Sequence, residues 1–383
     1  MRNSDKENLE AVLAQLANRK FCLLVSRGAT ALYLSYSTVL KLSGKKGDKN
    51  RNKIILPATM CHSPANVAIY AGLEPIFCDV SKFDYTLDPD CLQAILEANP
   101  GVLAVLSVSI FGHAPDMLRI SKICSKFNVS LIDDAAQSIG GTAYNVPLGG
   151  WGDIGIYSFG HSKIIDVGWG GAILTDNEEI FVECKRKYEE LQEPSQNIFK
   201  LRAIYSETYY TIERLTAKEP ALAPLFWQFP GIFQDLYVYK EDIPAKKPAE
   251  ILDEIELLHE NLKIRRNNWN NYKENLIDIS GIIMPEIREG SAPWRFTFRV
   301  LNNKRSIIVN ELRNRNIDVS TWYPSLSVRF EPNGLLNTST CNFAEALSGE
   351  LINLWIEPAK ANLNLIHDIC ILIKKLIQNS DSE

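Results

Sequence analysis

The sequence predicts an α/β protein whose larger part is built on a mostly parallel sheet. In the first half, short apolar runs rich in β-branched residues alternate with segments of helical periodicity. Strands covered by helices on both faces are buried throughout, so near-continuous apolar strands indicate a parallel sheet between two helical layers. The predicted strands are Lys53–Leu56, Pro75–Val80, Val102–Ile110, Val129–Ile132, Gly155–Phe159 and Gly171–Thr175, and the predicted helices are Ala29–Lys41, Pro64–Ala71, Pro89–Ala98 and Ala114–Phe127.

A second, smaller α+β unit is expected after the parallel sheet. The 383 residues are too many for one small core. The predicted elements of this unit are a long amphipathic helix Pro248–Leu276, strand Trp294–Leu301, helix Lys304–Arg315, strand Asp318–Tyr323 and a final helix Leu363–Gln378. We therefore predict a large domain over residues 1–250 and a small C-terminal α+β domain over residues 251–383.

An aromatic, proline-punctuated tract interrupts the alternation at about residues 190–240. One interpretation is a helical excursion that packs on its own domain or on a partner subunit. The other is a cap over a bulky substrate. The first interpretation is favoured, but the sequence leaves both open.

Bulk properties narrow the classes of function. The formal net charge is −5 and the sequence pI is about 5.7, so no basic face is expected and nucleic acid is not an expected partner. A polar start and the lack of a long apolar run argue against a signal peptide and a membrane span. The eight cysteines form no C-x-x-C pair and no zinc spacing. We expect no metal, mostly buried free thiols and a cytoplasmic location.

Two junctions between a strand and a helix could face a ligand. In Ser26–Leu32 the turn at Gly28 opens a helix, and free N–H groups at a helix start suit a phosphate. Ordinary helix capping would explain the same residues. Pro57–Gly72 is a second such junction, and we expect Cys61 or His62 to face the same edge of the sheet.

Two further segments carry charged residues after buried runs. Leu131–Gly141 has two aspartates at a strand end, where one of them could simply cap a helix and the other could lie beneath a heterocycle. In Gly152–Leu174 a strand delivers Ser158, a loop carries Lys163, and a glycine run enters the next strand. Most lysines are solvated surface charges, but Lys163 lies between two buried runs.

Together these segments resemble the DegT/StrS family of sugar aminotransferases, which depend on pyridoxal phosphate. The family's motifs S-G-T-A-A-L, E-D-A-A-Q, S-F-x-x-x-K and Y-N-Y-R are similar to Arg27–Leu32, Asp133–Gln137, Ser158–Lys163 and Tyr237–Lys240, and its substrate-contacting segment resembles Asp318–Pro324. Occurrence of both the Asp-Ala-Ala-Gln and the Ser-Phe-x-x-x-Lys motifs is specific. The resemblance implies a fold type I transferase with a seven-stranded sheet.

The resemblance also implies roles for particular residues. Lys163 would form the Schiff base with pyridoxal phosphate, and Asp134 would pair with the ring nitrogen, while Asp133 would be a strand-end or capping group. Gln137 would donate towards the cofactor's 3′ oxygen. Residues implied in cofactor binding are Lys163, Asp134, Gln137, Ser158, Gly28, Ala29, Thr30, His62 and Lys240; residues implied in substrate binding are Tyr323, Trp169 and His161. The implied reaction transfers an amino group, from glutamate, to a nucleotide-linked keto-sugar in a homodimer.

Several positions depart from the family's pattern. Ala29 replaces a threonine, and Cys61 stands where an aromatic residue stacks on the cofactor, so His62 could substitute for that ring. Val238 and Lys240 replace an asparagine and an arginine, and the asparagine reaches the neighbouring subunit's cofactor in the family. Trp169 replaces a polar residue, either as packing or as a substrate wall. These changes motivate an alternative, a catalytically silent regulator or partner subunit; a weaker third possibility is an enzyme acting on an amino acid or small keto compound.

Overall fold

A seven-stranded sheet is the centre of the larger part of the chain. In the computed structural model, which describes residues 2–45, 51–218, 236–327 and 340–379, the strand order is β1-β9-β8-β5-β4-β2-β3. Pairs among β2, β3, β4, β5 and β8 are parallel, whereas β9 is antiparallel to both β8 and β1. The strands are β1 Phe21–Val25, β2 Lys53–Pro57, β3 Glu74–Cys78, β4 Val102–Val108, β5 Ser130–Asp134, β8 Ile154–Ser158 and β9 Gly171–Thr175, with a small hairpin of β6 Thr142–Ala143 and β7 Val146–Pro147. The predicted mostly parallel sheet is confirmed, and β1 is the strand that the apolar pattern did not single out.

Helices cover this sheet, and polar side chains cap several of them. The helices are Arg2–Leu16, Gly28–Lys45, Ser63–Tyr70, Pro89–Ala98, Met117–Phe127, Glu178–Glu190 and Ile198–Lys218. Asp88 accepts hydrogen bonds from the N–H groups of Asp90 and Cys91, which helix geometry leaves without partners. The helix expected from Ala114 begins at Met117, because Asp116 caps it by accepting from the N–H of Arg119.

Strand directions bring the predicted functional segments to one edge. The carboxyl ends of β1, β5 and β8 lead into Ser26, Ala135 and Phe159. Because β9 runs the opposite way, its first residue, Gly171, pairs with both Ser158 and Val25 at this same edge. A Cβ atom at Gly171 would lie 2.6 Å from the backbone nitrogen of Gly28, so only glycine permits this close approach.

A four-stranded antiparallel sheet forms the later part of the chain. Its order is β10-β11-β13-β12, with β10 Ile282–Ile283, β11 Arg295–Val300, β12 Val319–Ser320 and β13 Leu351–Trp355. Its helices are Lys247–Glu256, Leu258–Leu276, Arg305–Asn314, Asn342–Glu350 and Leu363–Asn379. The single helix expected over Pro248–Leu276 is two helices that meet at Leu257. The strand expected over Asp318–Tyr323 ends at Ser320, because Tyr323 leaves the sheet and bonds to Gln137.

Two hydrophobic cores accompany the two sheets. Leu258 and Leu262 belong to the first core, whereas Trp269 and Tyr272 belong to the second. The helix Leu258–Leu276 therefore contributes to both cores. The domain boundary at residue 250 stays a prediction.

The aromatic tract is helical where the structure describes it. Ile198–Lys218 is a helix, and residues 219–235 lie outside the described residues. Ile198, Tyr205, Tyr209 and Leu236 form a small separate apolar cluster. The ring of Tyr209 stacks on His62 at 5.0 Å between centroids, next to the cavity described below. Both interpretations of the tract stay open.

The described part of the chain also bears on the cysteines, membrane spans and metal ligands considered above. All eight cysteines are free there, and six are buried. Within the same residues, no helix has the length and apolarity needed to cross a bilayer. No group of three or more potential metal ligands occurs among them.

Candidate active site

A cavity of about 280 Å³ lies at the carboxyl edge of the large sheet. Eight of the residues predicted for the site line it: Gly28, Ala29, Asp134, Gln137, Ser158, His161, Lys163 and Trp169. They come from three strand ends and the glycine run before β9, so the sheet topology gathers residues far apart in the sequence. This is the edge at which open α/β sheets bind ligands.

The loop that carries Lys163 is held by its own side chain–backbone bonds. Asp166 accepts hydrogen bonds from the N–H of Ser162 at 2.7 Å and of Gly168 at 3.2 Å. The indole N–H of Trp294 donates to the carbonyl oxygen of Ser162 from outside the loop. Lys163 itself is half-buried. Burial lowers the pKa of its ammonium group, and the charge of Asp134 opposes that shift.

The two aspartates at the end of β5 have different surroundings. Asp134 lines the cavity and is 4% exposed, and its Oδ1 accepts from the N–H of Ala136 at 3.0 Å. Burial raises the pKa of this carboxyl group, while the Ala136 bond and Lys163 lower it. Asp133 is fully buried, and its Oδ2 accepts from the N–H groups of Gly149 at 2.6 Å and Trp151 at 3.3 Å. Asp133 thus holds a neighbouring loop, as its predicted structural role requires.

One end of the cavity combines a helix start with a hydroxyl group. The hydrogen-bond ladder of helix Gly28–Lys45 begins where the N–H of Ala31 donates to Arg27, so the N–H groups of Gly28, Ala29 and Thr30 precede it. A Cβ atom at Gly28 would lie 3.0 Å from Oγ of Ser158. The missing side chain therefore leaves a polar cradle between the helix start and Ser158.

Gln137 is oriented by contacts on both ends of its amide. Its Oε1 accepts from the N–H of Phe111 at 2.8 Å, and its Nε2 donates to the hydroxyl of Tyr323 at 3.0 Å. The ring of Tyr323 stacks on Phe111 at 5.8 Å between centroids. Tyr323 is thus placed behind Gln137 and is not among the residues that line the cavity.

Trp169 is a fixed part of the cavity wall. Its indole N–H donates to Oε2 of Glu241 at 3.0 Å, and the side chain is only 7% exposed. His161, at the mouth, is exposed, with its Nδ1 3.6 Å from Oδ1 of Asp166. The indole face is available to the cavity while its polar edge is satisfied.

Three predicted cofactor residues direct their side chains elsewhere. The Thr30 hydroxyl donates to the carbonyl of Tyr237 at 3.1 Å, and Thr30 is not among the residues that line the cavity. His62 does not line the cavity and stacks on Tyr209. The ammonium of Lys240 pairs with Glu189 at 2.5 Å, outside the cavity. His62 and Lys240 thus have partners within this chain, and their predicted cofactor contacts stay predictions.

The prediction missed the roles of three residues around the site. Arg27 and Tyr237 line the cavity, and Glu241 orients Trp169. Arg27 and Tyr237 lay within recognised motifs, but no sequence signal pairs Glu241 with a tryptophan 72 positions away. Only the fold brings such residues together.

The residues present fit pyridoxal phosphate. A half-buried lysine could bind the aldehyde, a buried carboxylate could face the ring nitrogen, and the cradle at Gly28 and Ser158 could take the phosphate. The cradle is the decisive observation, because a side chain at position 28 would fill it.

Comparisons with known proteins agree with this arrangement. The 3-oxo-glucose-6-phosphate:glutamate aminotransferase of Bacillus subtilis is 31% identical over 179 residues, which are 46% of this chain and 38% of that protein. The GDP-perosamine synthase of Caulobacter vibrioides is 28% identical over 176 residues, 46% of this chain and 45% of that protein. Each match thus covers less than half of the relative's own length.

The fold is also shared with solved structures. Helicobacter pylori PseC, described as an aminotransferase involved in the biosynthesis of pseudoaminic acid, superimposes with a TM-score of 0.77. The alignment covers 98% of this chain and 91% of that one at 18% identity, so it shows the fold alone. The sequence profile of the DegT/DnrJ/EryC1/StrS aminotransferase family matches residues 2–218, more than half of the chain, and the chain belongs to this family.

Proposed function

We propose that this chain is a pyridoxal phosphate-dependent aminotransferase that transfers an amino group, from glutamate, to a nucleotide-linked keto-sugar. The observation that carries the proposal is one cavity in which Lys163, Asp134 and the cradle of Gly28 and Ser158 meet. A structural lysine would need none of these neighbours. The predicted site residues and the domain boundary at residue 250 are part of this proposal.

Lys163 is the group that would move protons. Pyridoxal phosphate, when bound, supplies a ring that accepts electrons from the carbon bearing the amino group. Burial lowers the pKa of Lys163, which increases the fraction of neutral amine that can act as a nucleophile or as a base. The bonds of Asp166 to Ser162 and Gly168 fix the backbone of the loop that carries Lys163, which limits the positions its amine can reach.

Asp134 and Gln137 are the side chains that would orient the cofactor's ring. The carboxylate of Asp134 would hold a proton on the ring nitrogen. The positive charge on that nitrogen would favour the charged form of Asp134 despite its burial. Gln137 is held by Phe111 and Tyr323, so its amide is preorganised. The wall formed by Trp169 would exclude water from one side.

The names of two relatives support the proposed class of substrates. One relative is named for a 3-oxo sugar phosphate and glutamate, and another for a GDP-linked sugar. Both names share a sugar that carries a phosphate group. If the aromatic helix Ile198–Lys218 caps the cavity, it favours a substrate of this size over an amino acid or small keto compound. A homodimer in the cytoplasm is the remaining part of the proposal, supported by the resemblance and by the free cysteines.

The proposal is tested through the cofactor's absorbance. Purified protein incubated with pyridoxal phosphate should show the visible band of a lysine-bound cofactor, and glutamate should bleach it. Lys163→Ala should abolish both the band and turnover. Lys263→Ala is the matched control, because its ammonium is exposed and pairs with Glu260 at 3.4 Å, away from the cavity.

The same measurement separates the alternatives. A silent regulator or partner subunit would stay colourless, and turnover retained in Lys163→Ala would refute the role of this lysine. A screen of keto-sugar nucleotides and keto-sugar phosphates, read by return of the visible band after glutamate treatment, would identify the acceptor. Return of the band with small keto acids other than 2-oxoglutarate, but with no sugar, would favour the third possibility.

A further inference from the structure

The geometry points to Arg27 as a ligand of the cofactor's phosphate group, supplied by this chain itself. This inference rests on the proposed function, because it assigns a residue to one end of the same cavity. Arg27 stands where the family has a small polar residue, so the guanidinium is a particular feature of this sequence.

The backbone of Arg27 is fixed on both sides. Its carbonyl accepts from the N–H of Ala31 at 3.0 Å, and its backbone forms a parallel bridge with Gly170. A Cβ atom at Gly171 would lie 2.6 Å from the carbonyl carbon of Arg27, which shows how closely β9 packs against it. The half-buried side chain therefore starts from a rigid position beside Gly28, and it lines the cavity.

The negative charge of a bound phosphate would exceed the positive charge that the helix start supplies, so a cation is expected near the cradle. A phosphate monoester carries about 1.5 to 2 negative charges near neutral pH, whereas a helix start supplies about half a positive charge. Lys163 is committed to the aldehyde end. Arg27 also lines the cavity and, unlike Lys163, carries a permanent positive charge, and no ion pair joins it to a carboxylate in the described parts of the chain. Its forked donors match phosphate oxygens.

Neighbouring aromatic and cationic groups orient the guanidinium. Arg27 lies over the ring of Tyr237 at 5.6 Å from its centroid, and Arg202 lies over the same ring at 5.7 Å. Nε of Arg202 donates to the carbonyl of Leu236 at 2.7 Å, which anchors the segment that carries Tyr237. Burial lowers the pKa of Arg202, and the charge of Arg27 lowers it further, so the two cations repel each other. A bound phosphate beside Arg27 would relieve that repulsion.

Binding of two forms of the cofactor tests the inference without turnover. Apoprotein prepared from the full chain is titrated with pyridoxal phosphate and with pyridoxal, which lacks the phosphate. Arg27→Gln should weaken pyridoxal phosphate binding about 10- to 100-fold, the loss expected for a charge-assisted hydrogen bond, and should change pyridoxal binding by less than about twofold. Arg27→Lys, which keeps the charge, should recover part of the affinity. Arg119→Gln is the matched control, since it removes an exposed guanidinium paired with Asp90.

Inorganic phosphate gives a second readout that is independent of the cofactor. It should raise the melting temperature of the wild-type and Arg119→Gln apoproteins and should have less effect on Arg27→Gln. Equal weakening of pyridoxal phosphate and pyridoxal would overturn the inference, as would unchanged cofactor binding with a raised KM for the sugar substrate. Failure of the wild-type chain to bind pyridoxal phosphate would instead refute the proposed function.

Discussion

The two adjacent aspartates at the end of β5 should respond differently to the same isosteric change. Asp133→Asn and Asp134→Asn each remove one charge with little change in volume. Asp133 bonds only to the loop at Gly149 and Trp151, whereas Asp134 lines the cavity. We therefore expect Asp133→Asn to change the pH dependence of stability and Asp134→Asn to change cofactor binding.

The size of the expected change in unfolding free energy follows from the pKa of Asp133. Burial raises this pKa to about 7, against about 3.9 for an aspartate in an unfolded chain. Between these values the folded state keeps a proton that the unfolded state has released, so stability falls as pH rises through this window. Three pKa units correspond to about 4 kcal/mol. The free energy of unfolding of Asp133→Asn relative to wild type should therefore increase by up to about 4 kcal/mol between about pH 4 and about pH 8.

Urea unfolding of both apoproteins at several pH values measures this difference directly. Other titrating groups are common to both proteins, so their contributions largely cancel. A difference that is the same at every pH would refute the reasoning, because it would mean that the two backbone donors keep Asp133 charged throughout. In the same preparations Asp134→Asn should raise the cofactor's dissociation constant about 10- to 100-fold, and Asp133→Asn should leave it within about threefold.

Three other changes test the supports of the site. Asp166→Ala removes the acceptor for two backbone N–H groups of the lysine loop, and it should destabilise the protein by about 1 kcal/mol while making the loop more sensitive to limited proteolysis. Glu241→Ala leaves the indole N–H of Trp169 without its acceptor. We expect the free energy of unfolding in urea to fall by about 1–3 kcal/mol and tryptophan emission to change. Both effects should be smaller in Glu241→Gln, which keeps an acceptor oxygen. Tyr323→Phe removes the hydroxyl that accepts from Gln137, and it should weaken cofactor binding about 3- to 10-fold with the fold unchanged by circular dichroism.

Local patterns were sufficient for most elements of the large sheet. The strand Gly171–Thr175 and the helix Pro89–Ala98 have the predicted bounds, because a buried strand and a proline-started, Asp-capped helix are both encoded by adjacent residues. The small sheet was predicted less well. Its strand β13, Leu351–Trp355, lies between two helices and was missed, and β12 is shorter than expected. Two-residue strands depend on their partners for definition, so local patterns mark them weakly.

The sequence by itself determined which residues could carry the chemistry and the class of fold that holds them. The motifs around Asp134, Ser158 and Lys163 are local, and the alternation of strand and helix places each at a strand end. Only the tertiary structure decided how the site is completed: which side chains meet Gln137 and Trp169, that Lys240 pairs with Glu189, and that Arg27 shares the cavity. The physical reason is the separation along the chain of the residues that interact. Capping and periodicity act over a few residues, whereas these contacts join segments tens to hundreds of positions apart and exist only after the chain has packed.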